Sequence, residues 1–388
     1  MARAARASLA VLSLAITLFG SVHAQDWTPD AIRQQAGSSE PPPLDSSPTG
    51  QGPVTEPPPR TPLGIFDPVP EWQRTSSEPG RGGRGDNADG EFFKNRDERS
   101  WTVYADAIFL QRSCPSDAAL ITNNITPGAT TLLGAGDFNF NMESGFRVGL
   151  MIPHLFETEW GVEGLYFGID DWESETSVIQ SPSGAAVRFI HPLGHPTLPT
   201  QMAGAYVSEL DNAEVNARRQ ICDSLTFLAG VRYLRVTDSV GLALNFNSEQ
   251  NLRAVGLGTK NDLLGFQIGA DGLIWSRGRL GLGYMLKAGV FNNDAENLAF
   301  AAQTSPLRTG RVGAFENHVA FVGETGLMGI CHLTEDLAVR AGYQVLWIDG
   351  VALAPDQMAV SDLVASTATV ETSSLFYHGA FVGLEISR

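Results

Sequence analysis

Hydrophobic and polar residues alternate along ten segments of the chain downstream of about residue 100. In the fifth segment, Phe227 and Val231 fall on the face opposite Arg232, and in the ninth segment Tyr343 falls opposite Arg340. A period of two residues is typical of a β-strand with one apolar face. The pattern predicts ten strands, at about 101–110, 138–150, 160–170, 203–216, 224–236, 262–275, 280–291, 317–330, 337–348 and 374–387.

The connections between these segments alternate in length. The odd-numbered connections are about 25 to 32 residues long and the even-numbered ones about 4 to 9, and such alternation is typical of a barrel with long loops at one rim and tight turns at the other. We therefore predict an all-β fold, a transmembrane antiparallel up-and-down β-barrel with both termini at the turn rim. Residues 241–246 could add a hairpin, which would give twelve strands.

The chain begins with the features of an exported protein. Arg3 and Arg6 precede an apolar run over 7–19, and small residues follow near Ala24, which predicts a cleaved signal peptide over residues 1–24. No other apolar run approaches the roughly 20 residues of a membrane-spanning helix. The barrel, over residues 101–388, is therefore expected in the outer membrane of a bacterium with a two-membrane envelope.

Residues 25–100 have a different composition from the barrel. They are dense in Pro, Gly, Ser and charge, with three consecutive prolines at both 41–43 and 57–59. Such a segment cannot bury an apolar core, so we predict a disordered periplasmic segment. The cell wall is a candidate partner for it, while the barrel is expected to contact outer-membrane lipid and the barrel-assembly machinery.

The charge of the chain excludes one class of partner. Lys and Arg number 26 against 43 Asp and Glu, a formal net charge of -17. An acidic chain does not attract a phosphate backbone, so no nucleic-acid partner is expected.

Charged residues lie on the strand faces opposite the apolar ones. An Arg or Lys facing the lipid midplane costs about 2 to 4 kcal/mol, so these residues are expected inside the barrel. A ten-stranded barrel lies near the eight-stranded size that side chains fill. Two arrangements stay open, a salt-bridged filling and a narrow acid-rich pore. The predicted lumen residues are Asp106, Glu143, Arg147, Glu163, Arg232, Asp271, Lys287, Glu324, Arg340 and Glu385.

Catalytic and ligand sites are not predicted. Ser373, Ser374 and His378 are close in sequence, but no acidic residue is evident to orient the histidine. His191 and His195 could ligate a metal, although their spacing alone is a weak signal. We expect no enzyme activity, no cofactor and no metal site.

Three cysteines are present, and none is expected to form a disulfide. Cys222 and Cys331 fall in short turns four strands apart, whereas Cys114 falls in the first long loop. Adjacent strands are about 4.8 Å apart, which places the two turn cysteines beyond disulfide reach.

Several runs near the C-terminus resemble a known family. The resemblance is to the seventh of the families named as beta-barrel porins, it spans about residues 101–388, and it implies an outer-membrane barrel without implying a substrate or a site. Tyr104 to Arg112 is similar to the first strand of that family. The runs that carry the resemblance are Phe321 to Leu327, Leu337 to Gln357, which includes Tyr-x-x-Leu-Trp-x-x-Gly-Val-Ala-x-Ala-Pro-x-Gln, and Phe376 to Glu385.

Two functions are compatible with this barrel. The first is a porin-like channel for small solutes or ions. The alternative is a closed structural or adhesive surface barrel whose long loops bind partners. The predicted loops are 111–137, 171–202, 237–261, 292–316 and 349–373.

Overall fold

Ten long antiparallel strands of the chain close into a barrel. The computed structural model describes residues 100–113, 118–123, 130–155, 158–179, 185–187, 201–222, 224–245, 252–304, 307–363 and 365–388. The strands in chain order are β1 (Thr102–Arg112), β2 (Ala119–Asn123), β3 (Thr130–Gly134), β4 (Glu143–Ile152), β5 (Trp160–Ile179), β6 (Ala185–Val187), β7 (Gln201–Cys222), β8 (Leu225–Asn245), β9 (Leu252–Arg277), β10 (Leu280–Thr304), β11 (Leu307–His332), β12 (Leu337–Val351), β13 (Ser361–Asp362), β14 (Thr367–Ala368) and β15 (Ser373–Ser387).

The barrel strands follow one another around the ring in chain order. The order is β1-β15-β12-β11-β10-β9-β8-β7-β5-β4, and β4 pairs with β1 to close the ring. The five remaining strands lie in the loops, where β2, β3 and β6 form one small sheet and β13 pairs with β14. Two short 3-10 turns, Ala135–Asp137 and Asp356–Met358, lie in the same loops. Within the described ranges, no helix is long and apolar enough to cross a membrane.

The predicted ten-stranded antiparallel barrel is confirmed, and its predicted loops need correction. The twelve-strand alternative is wrong, because residues 241–245 continue β8. Most of the predicted loops 237–261 and 292–316 is also strand, since β10 runs on to Thr304 before β11 begins at Leu307. The predicted signal peptide and nearly all of the segment 25–100 lie outside the described residues.

The wall of the barrel has two heights. Six neighbouring strands, β5 and β7 to β11, are 20 to 26 residues long and form what we call the tall wall. The other four, β12, β15, β1 and β4, are 10 to 15 residues long and form the low wall. Strands of about 9 to 11 residues suffice to cross a bilayer, so the tall wall is long enough to extend well beyond one.

The outer surface changes from apolar to polar along the strands. On β10 the outward residues near the turn are Leu282, Leu286 and Val290, all exposed, and the next two are Asn292 and Asp294. On most other strands the exposed apolar residues form the same belt near the turn rim, whereas on β11 they continue to Val319, opposite Asn292, and Phe315, opposite Glu296. Its aromatic members are Trp101, Phe109, Phe146, Trp160, Tyr166, Phe227, Phe266, Trp275, Phe321, Tyr343, Trp347 and Phe376.

The inner surface changes in the opposite sense. On β8 the apolar Leu228 comes first and the charged Arg232 follows, and the next buried residues are Leu234, Val236, Asp238 and Val240, of which only Asp238 is charged. On β10 the buried Lys287 is followed by Phe291. On both strands apolar side chains therefore face inward beyond the level at which the outer surface becomes polar.

Candidate functional site

Nine of the ten predicted lumen residues lie inside the barrel, toward the turn rim, in three neighbouring groups of ion pairs that we together call the charged network. Asp106 receives a hydrogen bond from Arg147 Nε at 2.7 Å and lies 3.2 Å from Arg340 Nε. Arg340 also contacts Glu385 at 3.4 Å. Glu143 is the exception, because it lies opposite Leu110 on β1, above the level of these ion pairs.

Some ion pairs of the network cross the lumen between strands that are not neighbours in the ring. Arg232 on β8 contacts Glu324 on β11 at 2.7 Å, and Lys287 on β10 contacts Glu214 on β7 at 2.8 Å. Gln267 on β9 donates to the same Glu214 carboxylate at 2.7 Å. Since each pair joins strands that do not hydrogen-bond to each other, the side chains fill the space between the walls.

Two charged members of the network were missed by the sequence prediction. Arg218 joins Glu163, at 2.8 Å, to Asp271, at 2.7 Å, and Glu214 is the partner of Lys287. The predicted fourth strand stopped at 216, and its outward residues 213, 215 and 217 are Ala, Val and Ala, a weak apolar face. The alternation of polar residues at 212, 214, 216 and 218 was the signal that could have extended this strand.

The charges of the network nearly cancel. Among the described contacts it contains five cations and six carboxylates, a formal net charge of -1. Such a balance favours mutual neutralisation over attraction of one sign of ion. The cations are Arg147, Arg218, Arg232, Lys287 and Arg340, and the carboxylates are Asp106, Glu163, Glu214, Asp271, Glu324 and Glu385.

An apolar layer crosses the interior above the charged network, and we call it the septum. Nine of the ten barrel strands contribute side chains that are at most 4% exposed and belong to one continuous core. The tenth strand, β4, contributes Gly145, where a Cβ atom would lie 2.5 Å from Ile169 Cγ1. The members are Ile108, Leu110, Phe167, Ile169, Trp172, Leu210, Leu234, Val236, Leu263, Phe291, Ala320, Val322, Leu346, Ile348, Leu375 and Tyr377.

One buried ion pair lies on the loop side of this layer. Arg112 Nη2 donates to Asp238 at 2.7 Å, and Tyr206 and Ser208 donate to the same carboxylate at 2.6 and 2.7 Å. Burial raises the pKa of Tyr206 well above its usual range, so its hydroxyl stays protonated and keeps donating. The Arg112 guanidinium also contacts an aromatic ring, since its central carbon lies 4.9 Å from the centroid of the Phe140 ring.

The segment before β4 differs from its predicted place. The predicted second strand began at residue 138, whereas Phe138 and Phe140 precede β4 and are buried. Their rings pack edge-on against Tyr206, with centroids 5.7 and 4.9 Å apart. The strand begins only at Glu143, and the two rings turn inward because the low wall leaves the mouth open on that side.

A cavity of about 100 Å³ lies between the charged network and the turn rim. One side of it is charged, with Glu163, Arg218 and Arg340, and the other is apolar, with Met285 and Met328. The septum separates this cavity from the loop end of the barrel.

The candidate catalytic residues Ser373, Ser374 and His378 have separate partners and form no common site. Ser374 donates to Asp349 at 2.5 Å, whereas His378 Nδ1 lies 2.6 Å from the Tyr343 hydroxyl. Ser373 instead bonds Asp356 at 2.5 Å. His191, His195 and Cys114 lie outside the described residues. Within the described part of the chain, Cys222 and Cys331 form no disulfide, and no group of three or more His, Cys, Asp or Glu could hold a metal ion.

Comparison with known proteins finds weak likenesses only. No family model matches the chain, so the resemblance to the beta-barrel porins stays a prediction. No curated protein matches either. Among solved structures, the outer membrane protease OmpT of Escherichia coli is 9% identical with a TM-score of 0.42, covering 74% of this chain and 97% of that one.

Two further solved structures show the same level of likeness. The translocator domain of the autotransporter NalP of Neisseria meningitidis is 11% identical with a TM-score of 0.33, covering 74% of this chain and 88% of that one. The toluene transporter TodX of P. putida is 9% identical with a TM-score of 0.28, covering 74% and 89%. Likenesses of this size do not indicate an activity for this chain.

Proposed function

We propose that this protein is an outer-membrane β-barrel that is closed to ions and solutes and recognises a partner through its extracellular half. The septum is the observation that carries the proposal. Ions and polar solutes cross a membrane only through a hydrated path, and a continuous layer of packed apolar side chains opposes hydration. The charged network below the septum then stabilises the barrel and does not line a conduit.

The belt of exposed apolar residues supports the membrane placement. Apolar bands with flanking aromatic residues are typical of barrels that cross the outer membrane, and their charges are kept from the lipid face. On β10 the belt ends between Val290 and Asn292. The tall wall beyond this level is then extracellular, and the short turns with both termini face the periplasm.

Recognition is favoured because the residues beyond the belt form a built structure. The tall wall continues for many residues past the level of the membrane. Two segments that adjoin the low wall fold against the inner face of the tall wall, one before β4 with Phe138 and Phe140 and one between β12 and β15. Binding functions are often carried by loops that a rigid scaffold positions. A barrel that served only as a membrane anchor would not need an apolar core that continues above the belt.

A porin-like channel is the second candidate. The polar cavity at the turn rim and the inward charges favour it, because both supply a hydrated entrance. Conduction would additionally require the septum to part. This candidate therefore needs a second conformation, whereas the closed barrel needs none.

Release of a dye from vesicles tests the proposal. The full chain, without its signal peptide, is refolded into phospholipid vesicles that contain a small anionic or a small cationic dye. We expect the same release as from protein-free vesicles, at every protein density. Release of either dye that rises in proportion to folded protein would contradict the proposal and favour the channel.

A further inference from the structure

A loop runs inside the mouth of the barrel with its main chain buried. The eight consecutive residues from Val351 to Met358 are all at most 9% exposed, which is unusual because connecting segments normally lie on the surface. We call residues 350–371 the inward loop. It joins β12 to β15 on the low wall and crosses the mouth to the inner face of the tall wall.

Asn261 on β9 holds this loop by its main chain. Its Nδ2 donates to the Ala352 carbonyl at 2.8 Å, and its Oδ1 accepts from the Ala352 N–H at 2.7 Å. A carboxamide offers one donor and one acceptor side by side, as a neighbouring β-strand would. Asn261 therefore binds both main-chain polar groups of one residue, Ala352, without regard to the side chain attached to it.

Three further residues of the tall wall, on β10 and β11, also hydrogen-bond the main chain of the inward loop. Asn293 donates to the Gly350 carbonyl at 2.9 Å, Asn297 donates to the Thr369 carbonyl at 2.9 Å, and Glu316 accepts from the Val370 N–H at 3.2 Å. All of these bonds go to main-chain atoms of the loop. The wall thus presents a row of polar side chains that matches an extended or irregular backbone.

One side chain of the inward loop also bonds the wall, since Asn297 donates to Ser361 Oγ at 3.1 Å. Ala352 and Ala354 are small and fully buried, while Leu353 and Met358 enter the general apolar core. Recognition through backbone bonds and small apolar contacts is sequence-tolerant, and it is the chemistry with which grooves bind extended peptides.

We propose that the inner face of β9, β10 and β11 in the mouth is a peptide-binding groove that the inward loop occupies in this state. The external ligand is an extended segment of a partner protein, with small apolar residues where Ala352 and Ala354 now lie, and it displaces the loop. This inference rests on the proposed recognition function and names its partner class. The inward loop acts as an internal competitor that keeps the groove closed until such a segment is present.

A labelled peptide with the sequence of residues 350–359 is the probe. It is titrated against the full barrel and against a variant in which 352–370 is replaced by a short Gly/Ser linker, each checked for heat-modifiable mobility. We expect saturable binding to the shortened variant and at least tenfold weaker binding to the intact chain. In the shortened background, Asn261→Leu should weaken binding at least tenfold. Asn292→Leu, an outward-facing asparagine on β10, should leave binding unchanged.

Two results would overturn the inference. One is a folded, shortened barrel that does not bind the peptide saturably. The other is equal binding by the Asn261→Leu and Asn292→Leu variants. A conducting barrel would contradict the closed state and leave the peptide titration interpretable, so the two proposals fail separately.

The intact chain supplies a second measurement if the shortened variant does not fold. Amide hydrogen exchange of the inward loop is followed with and without saturating peptide. Displacement by the peptide should speed exchange at Ala352 at least tenfold, since this N–H loses its Asn261 partner. Unchanged exchange at saturating peptide would overturn the groove.

Discussion

Arg232 on β8 and Glu324 on β11 are three strands apart around the barrel, yet their side chains meet at 2.7 Å inside it. Both are buried, and Arg232 also receives support from Asn212, which accepts from its Nε at 2.6 Å. The contact shows that side chains span the lumen at this level. The charged residues of this barrel therefore join strands that are not neighbours in the ring.

Removal of one member of this pair should destabilise the barrel. Arg232→Met leaves the buried Glu324 carboxylate without its partner, which costs about 3 to 5 kcal/mol. Equilibrium urea unfolding in detergent micelles measures the loss. The matched control is Arg235→Met on the same strand, whose pair with Asp262 is partly exposed, with 43% and 24% of the two side chains accessible, and the expected loss is at most about 1 kcal/mol. Equal losses for the two variants would show that the interior pair is hydrated.

The end of the apolar belt on β10 can be tested with two outward positions at different depths. Leu286→Arg, near the middle of the belt, places a charge toward lipid and should cost about 2 to 4 kcal/mol, whereas Asn292→Arg, beyond the belt, should cost about 0 to 1 kcal/mol. Urea titration of the barrel refolded into phospholipid vesicles measures both. If Asn292→Arg is as costly as Leu286→Arg, the membrane extends further up the tall wall than we infer.

Two glycines with different surroundings should respond differently to an added methyl group. At Gly379 on β15 a Cβ atom would collide with the Phe109 carbonyl of β1, whereas at Gly164 on β5 nothing lies within 4 Å. Gly379→Ala should therefore destabilise the barrel by about 1 to 3 kcal/mol, the usual cost of overpacking. Gly164→Ala should change stability by less than about 0.5 kcal/mol. The unfolding midpoint of each variant measures these changes. An unchanged midpoint for Gly379→Ala would contradict the close contact and mean that β15 lies further from β1.

The sequence predicts strand number and order well because the rule that it uses holds inside the membrane. Near the turn rim the outward residues are apolar and the inward ones polar, so Leu286 and Lys287 identify the face of β10 correctly. Beyond the belt Asn292 faces outward and Phe291 faces the septum. A prediction from alternation ends the strand at this reversal. For this reason β8 to β11 were predicted too short.

The septum itself could not be predicted from alternation. Its residues come from nine strands, and their meeting depends on barrel closure and on the height of each strand. Phe138 shows the limit most clearly, because its apolar character is compatible with a lipid-facing strand and with a buried loop. Only the shortness of the low wall decides between the two, and no local pattern encodes it.

The inward loop was correctly predicted as a connection, but its place was not. Gly350 and Pro355 indicated where β12 ends, and Gly350 indeed adopts a positive φ of 85°. The asparagines that bind the loop lie about 60 to 90 residues away in sequence, and they resemble ordinary loop residues because this part of β9 was predicted as loop. Their role in binding the inward loop follows only from the folded tall wall, which brings them to the mouth of the barrel.

Single-channel recording tests the closed barrel most directly. The chain without residues 1–24, refolded to a heat-modifiable form, is inserted into a planar bilayer at high symmetric salt and held at voltages of both signs. The septum predicts insertion without conductance steps, while the buried ion pairs keep the barrel folded. Stable, reproducible steps from folded protein would contradict the closed barrel and restore the channel as the function of the charged lumen.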